Sequence, residues 1–77
     1  MDIFALLDDE RCLTCVVEQL SRSDSAVDVR LADILARARS NPGVDHPEVL
    51  RLVSENWDLR ITGAIATCIQ TRDVCRL

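Results

Sequence analysis

Three of the chain's four helix-breaking residues, Pro42, Gly43 and Pro47, fall within six positions; the fourth, Gly63, stands alone. A β-rich domain needs a turn every few residues, so this distribution points to helices. It also divides the chain once. Asn41-Pro42-Gly43 is a stop signal. Asp45-His46-Pro47-Glu48 is a start, because Pro47 suits a first helical position that needs no N–H donor, and Glu48 suits the positive end of the helix dipole.

Apolar periodicity fills in the elements. In residues 2–21, Ile3, Leu6, Leu13, Val17 and Leu20 recur at three-four spacing, with Glu10 the one polar member of the stripe. The acidic run Asp8-Asp9-Glu10 offers a break, with Asp8 capping a second helix. A polar linker follows, in which Ser23 or Asp24 can cap a helix over 25–39. That helix would bury Val27, Leu31, Ile34, Leu35 and Ala38, and would carry an Asp33–Arg37 pair four apart on its outside. From Pro47, the positions Leu50, Val53, Trp57, Ile61, Ala64, Ile65, Cys68 and Cys75 predict one long helix over 47–73. Residues 59–70 also alternate like a strand, with three isoleucines and several threonines, but a single strand has no partner within the chain. The helix is preferred.

The expected fold is therefore all-α: one domain, 1–77, of three helices over about 2–21, 25–39 and 47–73. A 77-residue chain buries only about 60% of the surface that its unfolded form exposes. Residues 61–69 are apolar nearly all round a helix, which asks for neighbours on more than one side. Both points lead to the expectation that dimerisation completes the core.

Cys12 and Cys15 form a Cys-x-x-Cys pair, and Cys68 and Cys75 lie seven apart; each pair shares a helix face, so the two can meet if the first and third helices pack. Zinc is one reading, with all four as ligands, but the seven-residue step does not match a zinc finger or ribbon. A redox couple is another, opposed by Asp8, Asp9 and Glu10, whose charge would raise the thiol pKa. Structural disulfides are a third and require an oxidising compartment. The fourth treats all four as small buried hydrophobes. Their places on or beside the apolar stripes favour this last reading. No metal or other cofactor is expected.

The net charge is −4, and all nine basic residues are arginines spread along the chain. All but Arg39 have an acidic residue within four positions, the pattern of solvated helix faces rather than of a phosphate-binding stripe. The apolar start, Met1 to Leu7, is short and flanked by aspartates, unlike a signal peptide, so a cytoplasmic location is expected. No run is long enough to span a membrane. His46, the only histidine, reads as a helix-entry residue, and no nucleophile, phosphate loop or acid–base pair points to an enzyme. The expectation is a small non-enzymatic protein–protein interaction module: an adaptor, co-chaperone or stoichiometric inhibitor, partnered by itself and by another protein. Phe4, Leu7, Trp57, Leu59 and Ile61 are the candidate apolar contacts, with Arg60 as polar rim. The alternatives are a helical DNA-binding regulator, which the acidic charge opposes, and a zinc-stabilised module built on the four cysteines.

Overall fold

A computed structural model of the chain describes residues 3–40 and 47–75. The fold is all-helical, and no strand occurs among the described residues. The helices are α1 (Ile3–Asp8), α2 (Glu10–Ser21), α3 (Ala26–Ser40), α4 (Pro47–Glu55) and α5 (Thr62–Arg72), with a π-helical turn, Trp57–Ile61, between the last two. Pro47 opens α4 as its chemistry requires. Asn41, Pro42, Gly43 and His46 lie outside the described residues.

Two of the three expected helices are divided. The first breaks at Asp9, whose backbone is extended (φ −99°, ψ 97°) and whose carboxylate accepts a hydrogen bond from the Cys12 amide at 3.1 Å. That satisfies one of the orphan donors at the start of α2, so the acidic run is indeed a break, with Asp9 rather than Asp8 as the cap. Before α3, Ser23 has both roles of a hydroxyl: its Oγ accepts from the Ser25 amide at 3.1 Å and donates to Asp28 Oδ2 at 2.7 Å. Asp28 thus sits in the first turn of α3, where negative charge is favoured.

Helix α2 is the centre of the molecule. It packs against α3 on one side and α5 on the other, while α1 rests on α2 and α4. Cys12, Leu13, Cys15, Val16 and Leu20 are buried on α2, and Leu31, Ala32, Ile34, Leu35 and Ala38 face them from α3. Val27, expected in that face, is 44% exposed. It stands at the second position of α3, beyond the reach of α2's buried stripe. Val49 takes the buried place expected of Leu50, which is only partly covered.

The expected long third helix is interrupted for a reason present in its own spacing. Val49, Val53, Trp57, Ile61 and Ile65 recur every four residues. At 3.6 residues per turn, each such step overshoots by about 40°, so the stripe would wind away from the core. A wider π-turn absorbs the overshoot. It begins after Asn56, whose side-chain amide donates to the Leu52 carbonyl at 2.8 Å, and it closes with the Thr62 amide bonded to the Trp57 carbonyl. Val53 and Ile61 consequently both reach full burial, with Ile65 close behind.

Beyond the turn, α5 buries Ala64, Ile65 and Cys68 and turns Thr62, Gly63, Ala66 and Gln70 outward. The outward residues are small or polar, so this helix needs less cover than an apolar cylinder would. A methyl group added at Gly63 would meet no atom within 4 Å. We expect Gly63→Ala to raise unfolding stability by about 0.5–1 kcal/mol, since it removes backbone freedom from the unfolded chain without a clash. Urea denaturation of the two proteins checks this.

Candidate functional site

The π-turn carries four of the six candidate contact residues and separates them by direction. Leu59 is 87% exposed, the most outward large apolar side chain among the described residues, whereas Ile61 is 0% exposed. Ile61 is therefore a core residue and is withdrawn as a contact: the turn that brings the stripe back into phase aims it inward. Trp57 lies between these extremes, partly covered and packed against the core. Of the two candidates on α1, Phe4 is 63% exposed and Leu7 is partly buried against the core.

Arg60 has a defined place. Its guanidinium donates to Asp28 Oδ1 at 2.8 Å and to Ser25 Oγ at 3.1 Å, tying the π-turn to the start of α3 across more than thirty residues. Arg60, expected as a polar rim, is partly exposed and also braces the turn. Burial alone would raise the Asp28 pKa. The hydrogen bonds from Ser23 and Arg60, with the attraction of the Arg60 charge, outweigh that and hold the carboxyl below its ordinary 3.8. The other ion pairs are more exposed. Arg30–Glu48 at 3.1 Å and Arg37–Asp33 at 3.0 Å lie largely in solvent and contribute little. Arg72–Glu18 at 2.7 Å joins α5 to α2 and is partly covered.

The four cysteines are buried, as their stripes imply, but they are not free thiols. Cys12 is bonded to Cys75 and Cys15 to Cys68, with Cα separations of 4.8 and 6.0 Å. The expectation of four reduced core thiols is corrected here. Positions 12 and 15 share one turn of α2; the close packing of α2 with α5 brings Cys15 to Cys68, and the segment after α5 brings Cys75 to Cys12. No thiolate in this state is left to ligate zinc, and no group of three or more metal-binding side chains occurs among the described residues.

Sequence reasoning missed the Asp28–Ser25–Arg60 cluster because no local signal links residues so far apart. An acid in the first turn of a helix is explained by the dipole alone. The disulfides were more legible, since the two faces could be seen to meet. Comparison with protein-family models, with curated proteins and with solved structures gives no match to this chain.

Two predictions follow from opposite directions of the π-turn and from its strut. Ile61→Ala should cost about 2–5 kcal/mol of stability, and Leu59→Ala less than about 0.5 kcal/mol; chemical denaturation of both variants compares them. For Asp28, a folded-state pKa below the ordinary value means its contribution is present above that value and is lost as pH falls through the folded pKa. Asp28→Asn should lower stability by about 1 kcal/mol at neutral pH. The gap between wild type and variant should close on acidification below about pH 4, as read from denaturation midpoints across pH.

Proposed function

We propose that this protein is a non-enzymatic interaction module that associates through the apolar residue presented by its π-turn. The observation that carries the reading is the contrast within three residues: Leu59 fully outward, on a turn pinned by Arg60 to Asp28 and Ser25. A backbone held in place before binding loses less conformational freedom when its side chains dock, which favours affinity. π-turns interrupting α-helices are frequent at functional sites. Phe4 on α1 offers a second exposed apolar group, and Trp57 and Leu7 are partly buried against the core.

The first partner to consider is a second copy of the chain, with another protein engaged in the manner of an adaptor or inhibitor. The nucleic-acid reading draws less support, because Arg30, Arg37, Arg60 and Arg72 are each directed at a carboxylate. A duplex-binding face would need such groups for phosphates. As for location, no helix among the described residues is long and apolar enough to cross a membrane. The expectation of a cytoplasmic location rested on a start of the chain unlike a signal peptide, and it implied reduced thiols. Bonded pairs persist in oxidising surroundings, so we favour such a compartment for the oxidised form.

Light scattering on a size-exclusion column tests the reading. The wild type should run at twice the single-chain mass of 8.6 kDa. Leu59→Asp should return it to one chain with its helicity unchanged. A wild type that stays at single-chain mass at high concentration removes self-association. A Leu59→Asp protein that still dimerises moves the contact elsewhere.

A further inference from the structure

We infer that oxidation is what docks α5: the two disulfides together hold this helix on α2, and the four-thiol chain releases it. The seam between the two elements is short of apolar packing. Cys12, Cys15 and Glu18, three residues apart on α2, meet Cys75, Cys68 and Arg72 in turn. Two of these links are covalent, and the third is an ion pair between partly exposed side chains. The buried residues of α5 itself are Ala64, Ile65 and Cys68, and Ile65 is the one large side chain among them. The packing of α2 on α3 is of another kind, since its buried residues include Leu13, Val16 and Leu20 from one helix and Leu31, Ile34 and Leu35 from the other. That packing does not depend on a cross-link.

Helix α5 also lacks the means to stand alone. It has 11 residues, below the roughly 12–15 at which even alanine-rich helices are marginal in water. Gly63 and the β-branched Thr62, Ile65, Thr67, Ile69 and Thr71 fill more than half of it, and each disfavours a helix interior. The hydroxyls of Thr62, Thr67 and Thr71 donate to carbonyls four residues back, a bond that slightly destabilises a helix. The alternation that lets residues 59–70 read as a strand is the mark of this weak preference. An α5 freed from α2 therefore loses its helix. Gly63, with open space where a side chain would stand, gives the backbone a soft joint just after the π-turn. Arg60 holds the residues before that joint to α3.

All four cysteines are buried in the docked form, so both bonds form and break with α5 away from α2. The oxidant is a low-molecular-weight disulfide. The thiolate of one cysteine attacks it, a mixed disulfide forms, and one half of the oxidant leaves as a thiolate. The partner cysteine, deprotonated in turn, attacks the mixed disulfide and expels the other half. Each closed bond passes two electrons to the oxidant, and the two protons that the cysteines give up end on its two thiols. A dithiol reductant reverses both steps and itself becomes a cyclic disulfide. The reduced chain then uncovers Cys12 and Cys15 on α2, and the two redox forms offer different surfaces.

Hydrogen exchange read by mass spectrometry tests this on the full chain, with the oxidised protein compared to protein kept reduced by dithiothreitol and left unalkylated. Amides of α5 should exchange about a hundredfold faster in the reduced form. Those of residues 13–20 and 31–38 should keep most of their protection. Reoxidation with oxidised glutathione should restore the slow exchange of α5. The variant Cys12→Ala/Cys15→Ala/Cys68→Ala/Cys75→Ala should match the reduced form without any reductant present. Undiminished protection of α5 after reduction overturns the inference. An equal loss of protection across α2, α3 and α5 overturns it as well, because the fold then stands or falls as one unit.

Discussion

Cys15 and Cys68 lie 53 residues apart in sequence, and their bond joins the central helix to the last one. In the chain-entropy account, a closed loop of that length disfavours the unfolded state by about 4 kcal/mol. For a chain of this size that is comparable with the whole net stability of many small domains. The remaining architecture is arranged around it. Helix α2 presents Leu13, Val16 and Leu20 to its neighbours, and α3 folds back through the Ser23–Asp28 corner to cover them. Small size is thus offset by a cross-link within the chain.

The π-turn depends on that tie and in turn serves it. Helix α5 must reach α2 with Cys68 facing Cys15, while α4 must keep Val53 in the same core. A straight helix would carry Val53, Ile61 and Ile65 progressively round its axis, because the four-residue repeat drifts. The turn corrects the phase, and Arg60 anchors it to Asp28 at 2.8 Å. Leu59 is exposed as a consequence of this correction. An outward apolar side chain on a fixed turn is then available for association.

How much of this could be read from the sequence follows from the range of each interaction. Helical periodicity is local, so the class of fold and most of the α3 face, Leu31, Ile34, Leu35 and Ala38, were legible. The break at Asp9 was foreseen within one residue because capping is local too. The π-turn left a trace in the sequence: five apolar residues at uniform steps of four, from Val49 to Ile65, would drift by about 160° round a straight helix. What escaped were contacts set by tertiary packing. Arg60 reaching Asp28, Ile61 turning inward and Val27 remaining outside all depend on where α3 and the turn come to rest.

The phase correction also separates two kinds of tolerance at Leu59. Its side chain touches little, so replacing it leaves the core alone. Its backbone, however, is one of the residues that widen the turn. Because a π-turn holds one residue more than an α-turn, removing that residue would restore an ordinary helical turn and leave α5 near its present phase relative to α4. Cys68 would still face α2, and the central cross-link could close. The widened turn itself would be lost, and with it the backbone that carries the most exposed large apolar residue outward.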